Sequence, residues 1–171
     1  MKKLIIILIL LITTAAAYGQ SVDEMIRFNE EATLLYNKSD FYGAAKKWEQ
    51  GLEIAKKMNH KQGISAFIGN LGLVYKNLGD YQQALSYYEQ ALKIDREISD
   101  KKGIGISLGN IGVVYSNLGD YPQALSYYEQ ALKITREIGD KKGEGADLGT
   151  IGIVYDNLGD YQQALSYYEQ A

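Results

Sequence analysis

Cysteine is absent from the 171-residue chain, which excludes disulfides, thiolate zinc sites, a cysteine nucleophile and the lipid-bearing cysteine of a bacterial lipoprotein. Histidine occurs once, at His60, so paired imidazoles are excluded too. Proline also occurs once, at Pro122, in the first turn after Asp120, where a missing N–H does little harm. An excess of basic charge is absent: 18 Lys and Arg stand against 21 Asp and Glu, so the formal net charge is −3 and becomes more acidic if Lys2 and Lys3 are removed with a leader. Such a chain has no electrostatic footprint for nucleic acid. What remains is ordinary for a folded protein, with 46% hydrophobic and 23% charged residues, enough to bury a core.

The amino terminus reads as a targeting segment. Met1, Lys2 and Lys3 form a charged start, Leu4 to Ile12 is an unbroken aliphatic run, and Ala15, Ala16, Ala17 and Gly19 supply small residues for a signal peptidase. The apolar run falls short of the ~20 residues that a membrane-spanning helix needs. Cleavage after Gly19 is expected, with a retained anchor as the competing reading. The short lysine opening looks bacterial, so a periplasmic or secreted location is expected.

The rest of the chain repeats itself. LGDYQQALSYYEQALKI starts at Leu78, LGDYPQALSYYEQALKI at Leu118, and LGDYQQALSYYEQA runs from Leu158 to Ala171; the period is 40 residues, and Asp40 marks a diverged earlier copy. A fixed period of this length means stacked supersecondary units, each burying its apolar face only against its neighbours. Within one unit, Leu71, Gly72 and Tyr75 are followed by Ala84, Tyr88 and Ala91. The next gives Ile111, Gly112, Tyr115, Ala124, Tyr128 and Ala131, and the last Ile151, Gly152, Tyr155, Ala164, Tyr168 and Ala171.

This pattern resembles the tetratricopeptide repeat, W-x2-L-G-x2-Y followed by A-x3-F and A in a second helix. Ile68, Leu108 and Leu148 stand at the family's Trp, Tyr stands at its Phe, and Arg96 and Arg136 stand at its closing Pro. The period exceeds the family's usual length of about 34 residues and is similar to the long-repeat subfamily of spindle-orientation adaptors and bacterial signalling proteins. The resemblance implies an all-α fold, a right-handed superhelical solenoid of antiparallel helix pairs. The expected organisation is a leader over 1–19 and an array over 20–171, with repeats at about 25–64, 65–104, 105–144 and 145–171.

The residue types suit a helical hairpin. Gly72, Gly112 and Gly152 each cost a helix interior about 1 kcal/mol against Ala, a loss that close approach of the second helix would offset. Ala84, Ala91, Ala124 and Ala131 are expected to supply small surfaces there, with Leu85, Tyr88 and Leu92 filling the space between repeats. Gly79, Gly119 and Gly159 read as left-handed helix ends. The aspartates that follow read as N-caps, and Asp80 with Gln83 has capping-box spacing. In the oldest copy Ala32 takes the glycine place, and Trp48 is expected in the core.

No catalytic constellation emerges, and the chain is expected to be a non-enzyme without cofactor or metal. Asp40, Asp80, Asp120 and Asp160 share one spacing, but packed repeats would set them about 10 Å apart. Calcium needs roughly six to eight oxygens at about 2.3–2.6 Å. The paired tyrosines Tyr87-Tyr88, Tyr127-Tyr128 and Tyr167-Tyr168 could stack bases only beside a positive groove, so packing is the expected role. The glycines near Gly103 and Gly143 lack a phosphate-loop context.

The resemblance further implies that first helices line a concave groove for a partner peptide. Groove-facing places correspond to Ala66, Gly69, Asn70, Leu73 and Asn77, then Ile106, Gly109, Asn110, Val113 and Asn117, then Ala146, Gly149, Thr150, Ile153 and Asn157, with Asn37 extending the asparagine row. Asparagine offers donor and acceptor together, so such a ladder could hold peptide backbone, or it could merely satisfy helix ends. The family's lysine-based carboxylate clamp is not matched at Ala66, Gly69, Leu73, Asn110 or Ala146, and the groove is expected to be neutral and semi-apolar. The leading expectation is an exported protein-interaction scaffold that binds a protein or peptide partner, with no nucleic acid. The alternative is the sensory or oligomerising part of a larger signalling protein, since the fourth copy is incomplete and further chain is expected beyond Ala171.

Overall fold

Seven turns spaced every twenty residues cut the chain into helices. Each ends in one residue of positive φ, either glycine, as at Gly79 (80°), or Ser39, Asn59 and Ser99 at 52–62°. The next residue sends its backbone N–H back to the closing turn, as Asp80 does to the Tyr75 carbonyl at 2.9 Å. Its side chain then accepts from the N–H three residues on: Asp80 from Gln83 at 3.0 Å, Asp100 from Gly103 at 3.0 Å, and His60, through Nδ1, from Gly63 at 2.9 Å. The aspartates and His60 are thus helix caps. The capping box is half-formed, because the Asp80 N–H is already committed to Tyr75 rather than to the Gln83 side chain.

The computed structural model describes the backbone of residues 2–171 and the side chains from residue 17 onward. Its helices are α1 (Lys2–Asn37), α2 (Phe41–Lys57), α3 (Lys61–Asn77), α4 (Tyr81–Glu97), α5 (Lys101–Asn117), α6 (Tyr121–Ile138), α7 (Lys141–Asn157) and α8 (Tyr161–Tyr168). The leader expected over residues 1–19 lies largely outside the residues with described side chains. Among the described residues there is no strand, and no helix is long and apolar enough to cross a membrane.

Each helix packs on the one before and the one after it, so the fold is a solenoid of antiparallel pairs. The first helices also touch one another directly, α1 with α3 and α3 with α5, which puts them on the inner side of the stack. The core follows as three consecutive apolar clusters. The first joins α1, α2 and α3 around Trp48, Phe67 and Leu71; the second packs Tyr88 and Leu92 against Leu108, Ile111 and Val114; the third packs Tyr128 and Leu132 against Leu148, Ile151 and Val154.

The helix-interior glycines answer to a ring rather than to alanine. A Cβ on Gly72 would lie 2.8 Å from the Tyr88 ring, and one on Gly112 would lie 2.7 Å from that of Tyr128. The second tyrosine of each pair therefore lies flat against the first helix of its own hairpin. The first tyrosine stacks on that same helix: Tyr87 on Tyr75 at 5.3 Å, Tyr127 on Tyr115 at 5.5 Å and Tyr167 on Tyr155 at 5.4 Å between centroids. Both tyrosines are packing residues.

Candidate functional site

Between α3 and α5, the inner surface opens into a pocket of about 430 Å³ walled by Ala66, Gly69, Asn70 and Leu73 on one side and Ile106 and Asn110 on the other. A second pocket of about 230 Å³ follows between α5 and α7, bounded by Ile106, Gly109, Asn110, Ala146 and Asp147. Gly69 and Gly109 keep the walls low, since a Cβ on either would meet nothing within 4 Å. A larger depression of about 640 Å³ lies on α4 and α6 among Glu89, Lys93, Arg96 and Glu97, an open furrow with a charged rim.

The structure brings Asn70, Leu73 and Asn110 together in the first inner pocket. Asn37, Asn77, Val113, Asn117, Ile153 and Asn157 lie outside both inner pockets. Asn37, Asn77, Asn117 and Asn157 are the exposed last residues of their helices. Asn77 donates to the Tyr36 hydroxyl at 2.6 Å and to the Leu73 carbonyl at 2.7 Å, so its amide ties α3 to α1. Asn70 donates to Asn29 Oδ1 at 3.2 Å, an oxygen that also accepts from Trp48 Nε1 at 3.0 Å. Val113 is half-buried against the third core cluster, and Ile153 is exposed.

The floor of the groove is acidic, which corrects the expectation of a neutral one. Asp95, on α4, lines the first pocket and is almost fully buried. It accepts hydrogen bonds from Ser65 on α3 and from Ser107 on α5, the latter at 3.1 Å. Burial pushes its carboxyl above the ordinary aspartate range, the two serines pull it back, and nearby Asp100 pushes it further up. In the second pocket Asp147, on α7, lies 3.0 Å from the Thr135 hydroxyl on α6, whose single proton it shares with the Leu132 carbonyl at 2.9 Å, and burial again raises its carboxyl. Neither carboxylate has an ion-pair partner among the described residues.

Sequence reasoning missed Ser65, Asp95, Ser107, Thr135 and Asp147. A signal was present in the differences between copies: Asp95 and Thr135 hold one place in second helices that otherwise differ only at Gln82 and Pro122, and Phe67, Ser107 and Asp147 hold one place in the first helices. The inner surface thus combines apolar walls, amide groups and buried carboxylates. Among the described residues no three acidic or histidine side chains converge to hold a metal ion.

A tetratricopeptide repeat family model matches residues 64–137 and 103–171. No curated protein matches the chain by sequence. Among solved structures it is similar to BtubC from P. vanneervenii, at 21% identity and TM-score 0.74 over 85% of this chain and 61% of that one. It is similar to aspartyl phosphate phosphatase F from Bacillus subtilis, at 18% identity and TM-score 0.82 over 87% of this chain and 39% of that one. A third is a Rap protein complexed with competence and sporulation factor, at 19% identity and TM-score 0.81 over 88% of this chain and 42% of that one. The chain thus spans 39–61% of the length of these structures, less than two thirds of each, and at such identities the likeness is one of fold. The two family matches together take in more than half of the residues, in the register of the helix pairs seen in the structure, and the chain belongs to the tetratricopeptide repeat family.

Proposed function

We propose that this chain is an exported protein-interaction scaffold whose inner groove holds a segment of a partner protein, without catalysis. The observation that carries the reading is the pair of consecutive pockets between α3, α5 and α7, apolar at Leu73 and Ile106 and amide-bearing at Asn70 and Asn110. A segment of helix or extended chain could run across both, its apolar side chains seated between the helices. Asp95 and Asp147 at the floor favour an occupant without acidic groups at those points. The fold likeness to a Rap protein complexed with competence and sporulation factor supports a groove that holds another molecule. Export rests on the charged start, aliphatic run and small residues of 1–19.

A second reading makes the array the sensing or oligomerising part of a longer signalling protein. It draws on the likeness to aspartyl phosphate phosphatase F, of which this chain covers 39%.

Site-specific photo-crosslinking in cell-envelope fractions tests the groove. A crosslinker at Ile106 is expected to label a partner, and one at the exposed outer position Glu129 is not; excess unlabelled protein should compete the label away. Labelling from Glu129 alone, equal labelling from both, or reproducible absence of label from Ile106 would contradict the groove assignment.

A further inference from the structure

Residues 78–98 and 118–138 differ only at Gln82/Pro122 and Asp95/Thr135, so α4 and α6 present nearly the same face to whatever packs after them. Nearly identical faces invite mispairing, in which a first helix docks on the wrong second helix or on that of another copy of the chain. We propose that the three junctions between consecutive helix pairs form a matching code, in which each second helix accepts its own following first helix and penalises the others.

The code occupies two places on each second helix and one on each following first helix. At the α2/α3 junction the match is steric. Phe67 fills the space above Gly51, where a Cβ would lie 2.4 Å from its ring, and the place equivalent to Asp95 is Ala55. At α4/α5 the match is polar: Ala91 replaces the glycine, and Asp95 accepts from Ser107 at 3.1 Å. At α6/α7 the same polar match is inverted, with Thr135 on the second helix donating to Asp147 on the first at 3.0 Å. Ser65 belongs to the same code, because it reaches Asp95 from within the α3/α4 hairpin. Its counterpart opposite Thr135 is Gly105.

The mismatches follow directly. With α3 placed after α4 or α6, Phe67 would run into the Cβ of Ala91 or Ala131. With α7 after α4, Asp147 would face Asp95, two carboxylates in one buried place. With α7 after α2, Asp147 would face the methyl of Ala55 and lose its donor. With α5 after α2, Ser107 would leave the space above Gly51 empty and its own hydroxyl unmatched. The mildest mismatch sets Ser107 against Thr135, two hydroxyls. Because α5 is already the hairpin partner of α6, that pairing arises only between two copies of the chain.

Thermal melting and refolding of the whole chain test the code. Ser107→Asp alone sets a second carboxylate against Asp95 and is expected to lower the melting midpoint by about 10 °C. Ser65→Gly/Asp95→Thr/Ser107→Asp copies the α6/α7 arrangement into the α4/α5 junction and is expected to recover at least half of that loss. The reciprocal transplant, Gly105→Ser/Thr135→Asp/Asp147→Ser, should likewise melt above Thr135→Asp alone, which leaves Asp147 in place and sets two carboxylates together. Each transplant makes two junctions alike. After refolding from denaturant at high concentration it should therefore give severalfold more repeat-exchanged oligomer than wild type, as read by size-exclusion chromatography. A triple variant that melts no higher than Ser107→Asp would overturn the proposal, and so would transplants that refold to the same monomer fraction as wild type.

Discussion

Tyr88 and Tyr168 occupy the same place in helices of the same local sequence, yet Tyr88 is fully enclosed and Tyr168 is 43% exposed. Both rings lie on a glycine of their own hairpin, Gly72 and Gly152. Two things differ: Tyr88 sits inside a helix that runs on to Glu97 and joins α5 residues Leu108, Ile111 and Val114 in one cluster, whereas Tyr168 closes α8 and has no following helix against it in the structure. Local sequence therefore sets the hairpin, and the next repeat sets the burial. This is the one-dimensional logic of a repeat array, in which stability is hairpin terms plus junction terms.

The sharpest way to test that comparison is to truncate the ring on each side of it. Tyr128, only 3% exposed, shares the interior environment. Tyr128→Ala is expected to cost about 3–5 kcal/mol. Tyr168→Ala is expected to cost less than about 1 kcal/mol, since much of the ring is already in water. Equal losses in denaturant unfolding would break the account. The next effect lies within α5. Gly112→Ala drives a Cβ to 2.7 Å from the Tyr128 ring. It should destabilise by about 1–3 kcal/mol. Gly109→Ala meets nothing within 4 Å. It should stabilise by about 0.5–1 kcal/mol through helix propensity.

A smaller effect separates the tyrosine hydroxyls. The Tyr88 hydroxyl is buried without a hydrogen-bond partner among the described residues, and burial raises its pKa well above the usual phenol value. Tyr128 is pushed up to about 12 for the same reason. Tyr88→Phe removes an unpaired polar group, so it should raise stability by about 1 kcal/mol. Tyr168→Phe should change little.

The smallest effect is one of pH. Asp95 has a folded-state pKa above its unfolded value, chiefly through burial. Its charge therefore opposes folding fully above the raised folded pKa, and the penalty fades as pH falls through that value toward the ordinary carboxylate range. Asp147 is shifted the same way. The stability of Asp95→Asn relative to wild type should accordingly be higher at pH 7 than at pH 4. A difference that is flat with pH, or of opposite slope, would contradict the burial assigned to Asp95.

Much of the fold was legible because its signals are local. The aspartates that follow Gly79 and Gly119 declare the turns, and Tyr88 declares the core by its spacing from Ala84 and Ala91. The partner of Gly72 was not legible as a ring, because spacing tells which residues share a face and not which of them reaches across. The groove was legible only in part. Asn70, Leu73 and Asn110 can be placed on the inner helices by register, whereas the Asn77 amide is drawn to Tyr36, a residue of the diverged first copy. The acidic floor escaped notice for a physical reason: Asp95 belongs to an outer helix, and only packing against Ser65 and Ser107 turns it inward.

Residue-resolved amide hydrogen exchange on the 171-residue chain tests the nearest-neighbour claim most directly, because α8 repeats the sequence of the first two turns of α4. The account predicts that amides around Tyr88 exchange at least a hundredfold more slowly than those around Tyr168, with α6 near α4. Equal protection in α4 and α8 would show that local sequence, and not the neighbouring repeat, holds these helices in place.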